Sequence, residues 1–344
     1  MIPTLRVLDA AANRAREALR VVEDYLRFVL DDRFLTEQCK SLRHELTAAL
    51  GDIPPEGRIA ARETQADVGT QLTTPAELSR ADDAVVLAAN FARLQESLRS
   101  LEEFGKLVSP RVGMRMKQLR YQSYTLHRAV ETTRRNATRL LDARLYVLLD
   151  GQENSAQLGR LAEDLVEAGV SLLQLRDKRL PDRELLDRAR LLRQATTGSP
   201  TLFVMNDRPD LAVLSRADGV HVGQEELSVK DTRQMVGPDM LIGVSTHSIE
   251  QARQAVLDGA DYIGVGPTFP SETKSFEQFP GLPLLHAVSA EVRLPAFAIG
   301  GITCDNLAEV LAAGFTRVAV SSAVAKASVP AAAARKLLER LVAR

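Results

Sequence analysis

Residues 144–178 read RLYVLLDGQENSAQLGRLAEDLVEAGVSLLQLRDK, which is two short apolar runs separated by an amphipathic segment. The runs, Arg144–Asp150 and Ser171–Lys178, have the length and the aliphatic composition of strands buried in a parallel sheet. The segment between them predicts a helix that Ser155 caps and that ends at Gly169. The stretch therefore predicts one β-strand–helix–β-strand unit.

The same pattern continues toward the end of the chain. Six more apolar runs alternate with helical stretches, and they are Thr201–Asp207, Gly219–Gly223, Leu241–His247, Tyr262–Phe269, Pro295–Ile302 and Arg317–Val324. Eight such units in about 200 residues predict an α/β fold, a compact (β/α)8 TIM barrel over residues 143–344. An open doubly wound sheet is the competing architecture, but no Gly-x-Gly-x-x-Gly follows the first strand.

The first part of the chain has a different spacing of apolar residues. Apolar residues recur at helical spacing over residues 5–30, 33–50 and 75–108, and β-branched alternation is absent. We therefore predict an all-α domain of about four or five helices over residues 1–135.

An internal echo lies within this helical region. A Glu-x-x-Arg-x-x-Glu pattern occurs twice, as Glu17, Arg20 and Glu23 and as Glu96, Arg99 and Glu102. The pattern indicates either two solvated helix faces with weak local ion pairs or a duplicated helical unit whose charged faces meet.

The composition excludes several classes of partner. Lys and Arg number 44 against 45 Asp and Glu, so no general charge favours nucleic acid or an acidic membrane. No apolar run approaches the roughly 20 residues of a membrane span, and the first residues lack a signal-peptide stretch. The two cysteines do not indicate a disulfide scaffold. We expect a cytoplasmic protein with small-molecule substrates, and the sequence allows a homo-oligomer.

The second predicted strand ends in cationic side chains. Alternation places Gln174, Arg176 and Lys178 on one side, which should be the barrel interior at the end that carries the chemistry in TIM barrels. Cations there require an anion, and their pairing favours a pyrophosphate clamp. Two alternatives stay open: Arg176 pairs with an internal carboxylate, or Lys178 forms a Schiff base as in barrel aldolases.

Acidic residues follow the next two predicted strands. The third ends in Asn206 and Asp207, and the fourth is followed by residues 224–226, Gln-Glu-Glu. Carboxylates on adjacent strands suit Mg²⁺ carried by substrate phosphates. Because these carboxylates would face Lys178 and Arg176, the sequence predicts a site for a metal ion and a pyrophosphate.

The remaining strand ends suggest a second anion pocket. Ser245 could hydrogen-bond a heterocycle, whereas His247 is equally well a ligand contact or a loop residue. Residues 264–275 form a hydroxyl-rich loop that is either a mobile lid over phosphates or an ordinary polar loop. Gly300–Ile302 and residues 321–322, Ser-Ser, end the last two strands, where barrels often cradle a phosphomonoester with backbone N–H groups.

At this point residues 143–342 resemble the thiamine-phosphate synthase family along their whole length. The motifs that carry the resemblance are QLRDK at 174–178, ND at 206–207, GVHVGQEE at 219–226, GVSTH at 243–247, GPTFPSETK at 266–274, GGI at 300–302 and SS at 321–322. Seven ordered motifs at barrel-compatible spacing make the resemblance specific.

The resemblance implies a role for each matching residue. Binding of an aminopyrimidine pyrophosphate falls to Gln174, Leu175, Arg176, Asp177, Lys178 and Asn206, with Ser245 and Lys274. Contacts with a thiazole phosphate fall to Ser271, Glu272, Thr273, Gly301, Ser321 and Ser322. Asp207 and Glu226 would hold Mg²⁺. Two positions depart from the common family pattern, since Glu226 stands where many members have Asp and Ser271 where Thr is common.

The mechanism that the resemblance implies is dissociative. Mg²⁺ with Arg176, Lys178 and Lys274 stabilises the departing pyrophosphate, and the thiazole nitrogen captures a pyrimidine-methyl cation. No protein nucleophile is needed. The related thiazole tautomerase is the alternative activity; it shares the barrel and the phosphate cradle but does not need the pyrophosphate clamp.

The helical region resembles the domain fused to this synthase in some bacteria. That resemblance implies a hydroxymethylpyrimidine phosphate kinase, although no Gly-x-x-x-x-Gly-Lys-Ser/Thr phosphate loop is present. The rival interpretation is a non-catalytic module for dimerisation or partner binding. The candidate positions are Arg62, Asp67 and Gly69 in a polar loop, and Glu17, Arg20, Glu96 and Arg99 on the echoed helices.

Overall fold

The computed structural model describes residues 2–65, 79–270 and 279–342. Internal contacts divide the chain into two units, Met1–Val130 and Glu131–Arg344. Each unit is described by itself below.

The described part of the N-terminal unit is helical, as predicted. Its helices are α1 Ile2–Phe28, α2 Arg33–Leu50, α3 Pro55–Ala60, α4 Asp83–Gly105 and α5 Pro110–Arg139, the last of which continues past Val130. The side chain of Asp32 accepts from Leu35 N at 2.8 Å, and that of Asp82 accepts from Val85 N at 2.8 Å. These N-caps satisfy backbone donors that the first turn leaves free and so fix where α2 and α4 begin.

The echoed glutamates are buried. Glu23 is 2% exposed and lies 3.2 Å from Nε of Arg43 on α2, while Glu102 is 3% exposed and lies 2.9 Å from Nη2 of Arg120 on α5. Neither carboxylate lies on a solvated face. Each pairs with an arginine of the helix that follows it, so the echo extends beyond one helix.

A second correspondence links α2 to α5. Buried positions of α2 recur in α5 at the same spacing, Leu35, Cys39, Leu42 and Leu46 matching Val112, Met116, Leu119 and Ser123. Both members of each helix pair are therefore repeated, and the duplicated-unit interpretation describes α1–α2 and α4–α5 as two copies of one helical hairpin.

Residues 145–342 form the predicted barrel. The strands are β1 Leu145–Leu149, β2 Leu172–Leu175, β3 Leu202–Asn206, β4 Gly219–Val222, β5 Leu241–Thr246, β6 Tyr262–Val265, β7 Ala296–Ile299 and β8 Val318–Val320. All pairs are parallel, neighbours follow chain order, and β8 closes on β1 with Leu145 opposite Val318. Each predicted apolar run contains one strand, so the α/β barrel prediction is confirmed.

Helices follow the strands and cover the barrel. They are α6 Ser155–Glu167, α7 Asp182–Thr196, α8 Pro209–Ser215, α9 Val229–Val236, α10 Ile249–Asp258, α11 Gly281–Glu291, α12 Leu307–Ala312, α13 Ser322–Ala325 and α14 Pro330–Val342. The predicted cap of α6 is wrong by one residue. Asn154 accepts from Gln157 N at 3.0 Å, while Ser155 is already helical and its hydroxyl accepts from Arg188. Gly169 has a φ of +85°, which suits the predicted end.

A buried carboxylate anchors the N-terminal end of the barrel. Asp261, just before β6, is fully buried and accepts from Asn136 Nδ2 at 2.7 Å and from Ile242 N at 2.8 Å. Arg135 and Arg233 pair with the same side chain. These bonds tie the last turns of α5 to β5 and β6, while the opposite end of the barrel is left for polar residues.

Replacing Glu102 by Gln is expected to lower the free energy of unfolding of the helical unit by about 3 kcal/mol, because it leaves the mostly buried Arg120 without its counter-charge. The neighbouring Glu103 is 43% exposed and gives the matched control, Glu103→Gln, whose effect should be much smaller because solvent screens an exposed ion pair. Urea unfolding followed by circular dichroism measures both. Equal effects would contradict the burial argument.

Candidate active site

A lysine lies between two carboxylates at the C-terminal ends of the strands. Nζ of Lys178 is 3.1 Å from Oδ2 of Asp207 and 3.6 Å from Oε1 of Glu226. The hydrogen bond from Lys178 to Asp207 raises the pKa of the lysine, which stays charged. Within the described ranges, no group of three or more His, Cys, Asp or Glu side chains could hold a metal ion. The two predicted metal ligands therefore converge on one cation and leave further coordination to a ligand.

The backbone of Asp207 explains this convergence. Asp207 follows β3 directly, has a φ of +57°, and donates its N–H to the carbonyl of His221 at 2.8 Å. Aspartate is among the few residues that adopt this left-handed conformation readily. The sharp turn reverses the chain at the strand end, and the Asp207 carboxylate meets Lys178 from β2.

The residues around Lys178 have different environments. Arg176 is half-buried, and among the described residues its side chain makes no ion pair and no hydrogen bond. No described carboxylate is therefore the internal partner of Arg176 considered above. Asn206 is half-buried at the end of β3. Leu175 is fully buried and alternates to the outer face of β2, so only its backbone faces the mouth.

Asp177 organises the loops beneath the site. Its carboxylate accepts from Gly151 N at 3.1 Å and from Arg179 N at 2.8 Å, and it pairs with the Arg179 guanidinium. Burial alone would raise the pKa of Asp177, but these donors lower it to about 2. Arg188, which sequence reasoning missed, donates from Nε to the carbonyl of Gly151 at 3.0 Å. The loops after β1 and β2 are therefore held together by a buried carboxylate and a buried guanidinium.

A chain of hydrogen bonds crosses the barrel interior. Gln174 donates to the hydroxyl of Tyr146, which lies 3.0 Å from the hydroxyl of Tyr262. The Tyr262 hydroxyl is 3.2 Å from Nδ1 of His221, and Nε2 of His221 is 2.9 Å from Oγ of Ser245. Two residues predicted to bind substrate, Gln174 and Ser245, are thus the two ends of one network.

The network is uncharged near neutral pH. Burial raises the pKa values of Tyr146 and Tyr262, and burial lowers the pKa of His221 to about 4, an effect that Asp207 only partly offsets. Sequence reasoning missed these three residues. The available signal was strand alternation, which turns polar side chains of β1, β4 and β6 inward, where they need partners.

The ends of β7 and β8 present backbone and hydroxyl groups. Gly300 and Gly301 have φ values of +100° and +63°, and a Cβ on Gly301 would lie 2.7 Å from the carbonyl oxygen of Pro270. Only glycine fits this close approach. Ser321 and Ser322 are exposed, and no side-chain hydrogen bond of either occurs in the part of the chain that is described.

Other predicted positions have definite places. Nδ1 of His247 is 2.6 Å from the carbonyl oxygen of Gly266, and the backbone N–H of His247 donates to Oε1 of Gln251. His247 therefore supports a loop. The predicted ligand contacts Ser271, Glu272, Thr273 and Lys274 lie outside the described residues.

In the N-terminal unit, Arg62 is engaged with Asp9 through two hydrogen bonds of 2.7 and 2.9 Å. Arg20 and Arg99 lie within 3.7 and 3.4 Å of the buried Glu23 and Glu102. The remaining candidates on these helices, Glu17 and Glu96, are exposed. Asp67 and Gly69 lie outside the described residues. No described helix is long and apolar enough to cross a bilayer.

Comparisons with known proteins agree with both halves of this description. Residues 145–324 match the thiamine monophosphate synthase family, and residues 6–129 match the ThiD2 family. A thiamine-phosphate synthase of Rhodopirellula baltica is 46% identical, over 93% of this chain and 88% of its own. One from Synechocystis sp. is 43% identical, over 98% of this chain and 96% of its own.

A solved structure matches a little over half of this chain. It is the thiamine phosphate pyrophosphorylase from Pyrococcus furiosus, which is 33% identical with a TM-score of 0.52. The match covers 58% of this chain and 97% of that one. The relatives that match nearly the whole chain therefore have the helical unit as well as the barrel.

The lowered pKa of His221 predicts a pH dependence of stability. Its folded-state pKa of about 4 is below its ordinary value of 6.5, so the unfolded chain binds a proton first as the pH falls. The free energy of unfolding should decrease from pH 6.5 to 4 by about 1.4 kcal/mol per pH unit from this group, then level off.

The measurement is urea unfolding in metal-free buffer across that range. His221→Gln should remove this component of the slope, whereas His286→Gln, at an exposed position on α11, should leave it unchanged. A His221→Gln variant with the full slope would show that another group titrates.

Proposed function

We propose the following reaction for this chain, which belongs to the thiamine-phosphate synthase family. It condenses 4-amino-2-methyl-5-(diphosphomethyl)pyrimidine with hydroxyethylthiazole phosphate, or its carboxylated form, to give thiamine phosphate and pyrophosphate. Family membership places the chain among the transferases of thiamine biosynthesis. The substrates, the metal and the residue roles are the proposal.

The observation that carries the proposal is the ion-paired group of Lys178, Asp207 and Glu226 beside Arg176. Two cations and two carboxylates at one point suit a pyrophosphate that arrives with a divalent cation. Carboxylate oxygens are hard ligands, and these two already converge on one positive charge, so the donor set fits Mg²⁺. When bound, Mg²⁺ supplies positive charge that offsets the charge of the leaving pyrophosphate.

The side chains on the pyrimidine side have distinct tasks. Arg176 and Lys178, with Lys274, bind the pyrophosphate oxygens and stabilise the charge that develops as the C–O bond breaks. Asn206, the backbone of Leu175 and the loop fixed by Asp177 shape this pocket. Ser245 and Gln174 orient the pyrimidine ring, since the buried network holds both side chains in place.

The thiazole side is held by neutral groups. Gly301, Ser321 and Ser322 offer backbone N–H and hydroxyl donors to the thiazole phosphate, and the Ser271–Thr273 segment contributes further donors. The thiazole nitrogen then attacks the pyrimidine-methyl cation. Holding both substrates in one mouth supplies proximity and keeps water from the cation. No protein nucleophile takes part.

The thiazole tautomerase alternative does not account for the cationic pocket. A tautomerase moves protons on one phosphorylated thiazole and needs no clamp for a second, pyrophosphorylated substrate. The Lys178 group favours the condensation.

The purified chain with Mg²⁺ and both heterocycles is expected to release thiamine phosphate and pyrophosphate in equal amounts. Lys178→Ala and Asp207→Ala should each lower turnover by roughly 100-fold or more, because Lys178 binds the leaving pyrophosphate and Asp207 would hold the Mg²⁺ that offsets its charge. A coupled pyrophosphate assay and chromatography of thiamine phosphate measure this.

The control is Lys230→Ala, at an exposed position on α9, which should keep full turnover. Near-normal turnover of either active-site variant would refute the clamp. Tautomerisation of the thiazole without condensation would favour the alternative activity.

For the N-terminal unit we propose action on a small molecule, the hydroxymethylpyrimidine phosphate kinase interpretation, over a purely dimerising module. Its support is a pair of adjacent surface pockets of about 450 and 340 Å³ that share Glu96 in their linings. Such concave sites are typical of small-molecule binding.

The full chain with ATP, Mg²⁺ and hydroxymethylpyrimidine phosphate is expected to form ADP and the pyrimidine pyrophosphate. Nucleotide chromatography without thiazole phosphate isolates this step from the barrel reaction. A stable dimer by light scattering that forms no ADP above background would favour the interaction role.

A further inference from the structure

Arg208, which sequence reasoning missed, directly follows the proposed metal ligand Asp207. It lies between the end of β3 and the start of α8, and its guanidinium pairs with two carboxylates. One belongs to Asp182, the first residue of α7, and the other to Asp210, the second residue of α8. A single arginine therefore contacts the beginnings of two helices.

Both carboxylates are held by forked hydrogen bonds. Nη1 and Nη2 of Arg208 donate to the two oxygens of Asp182 at 2.6 and 3.2 Å. Nε and Nη2 donate to the two oxygens of Asp210 at 3.0 and 2.7 Å. Because two bidentate pairs use both edges of one planar guanidinium, its orientation is fixed more tightly than in a single surface ion pair.

The pair with Asp182 joins two loops that follow neighbouring strands. Asp182 follows the loop after β2, and Arg208 belongs to the loop after β3. The same two loops carry the ion pair at the mouth, since Lys178 is four residues before Asp182 and Asp207 is immediately before Arg208. The Arg208–Asp182 contact is therefore a second connection between the loops that the Lys178–Asp207 pair already joins.

Prolines stiffen the short segments between the two connections. Pro181 precedes Asp182 and has a φ of −61°, and Pro209 follows Arg208 as the first residue of α8. The proline ring restricts φ, so the backbone on each side of the contact has one torsion fewer to vary. A shift of α7 relative to α8 is therefore transmitted to both active-site side chains.

The backbone of Asp207 benefits from a fixed neighbour. Its φ of +57° costs free energy in a residue that has a side chain, and such a conformation persists only where the surrounding structure holds it. The N–H of Arg208 donates to the carbonyl of Asn206 at 2.7 Å across this turn. The anchored guanidinium gives the chain a fixed point one residue after the strained position.

We propose that Arg208 is a positioning residue for the pyrophosphate site, which holds the loop that carries Lys178 against the loop that carries Asp207. The inference rests on the proposed function, in which these two side chains hold the pyrophosphate and its Mg²⁺. The side chains of Arg208 and Asp182 are 35% and 73% exposed, so their ion pair adds little to stability. Its contribution is geometric, and an error of about 1 Å at a reacting centre costs roughly 100-fold in rate.

Calorimetric titration of the full chain with inorganic pyrophosphate and Mg²⁺ tests the proposal. Arg208→Gln is expected to weaken binding about tenfold, and Asp182→Asn, which loses only the contact between loops, about threefold. Arg208→Lys should lie between the wild type and Arg208→Gln, because an ammonium keeps the charge but cannot form two forked pairs. Binding of thiazole phosphate, which the proposed function assigns to the ends of β7 and β8, should be unchanged in all three variants.

The condensation assay separates positioning from a structural role. In Arg208→Gln the KM for the pyrimidine pyrophosphate should rise by a similar factor, while the KM for the thiazole phosphate stays the same. A loss of folded protein would instead lower the maximal rate and leave both KM values unchanged. The double variant of Arg208→Gln and Asp182→Asn should bind pyrophosphate as Arg208→Gln does, since both changes remove the same contact.

Arg190→Gln is the matched control. Arg190 is an exposed arginine of α7 whose ion pair with Asp187, at 3.6 Å, stays within that helix, so binding should be unchanged. Wild-type pyrophosphate affinity in both Arg208→Gln and Asp182→Asn, or an equal loss of thiazole phosphate affinity, would overturn the inference. If Arg208→Gln does not fold, Asp182→Asn decides. Failure of the wild type itself to bind pyrophosphate with Mg²⁺ would overturn the proposed function and this inference with it.

Discussion

A closed eight-stranded barrel fills its interior with side chains, so a polar atom placed there needs a hydrogen-bond partner inside the barrel. The Gln174–Tyr146–Tyr262–His221–Ser245 chain meets that requirement with neutral groups alone. It joins the neighbouring strands β1 and β2 to the neighbouring strands β4 and β5 through Tyr262 on β6, and it holds both terminal side chains in place. Because the network is neutral, the charge at the mouth belongs to Arg176, Lys178 and the two carboxylates.

The helical unit depends on a similar constraint solved with charges. Glu23 and Glu102 are buried, and each would be strongly destabilising without the arginine that the next helix supplies. The same kind of ion pair therefore joins α1 to α2 and α4 to α5, at equivalent positions of the two hairpins.

The barrel was predictable because its strands are continuous apolar runs, and its site because strand ends converge in such folds. Lys178, Asp207 and Glu226 come together for that reason. Tyr146, His221 and Tyr262 were missed because their partners come from distant strands, and single strands do not reveal them. The burial of Glu23 and Glu102 could not be predicted for the same reason, since their partners Arg43 and Arg120 belong to other helices. The cap of α6 differed because Asn154 and Ser155 are both good capping residues, and only the chain path selects between them.

The repetition of α1–α2 in α4–α5 has a consequence for assembly. A hairpin that packs against a copy of itself within one chain makes a self-complementary, isologous contact of the kind that two-fold homodimers use. An ancestor that contained a single hairpin could have formed the same helix pair by association of two chains. In a single chain the two copies need not be identical, and equivalent positions differ here, Ala18 against Ser97 and Val21 against Ser100.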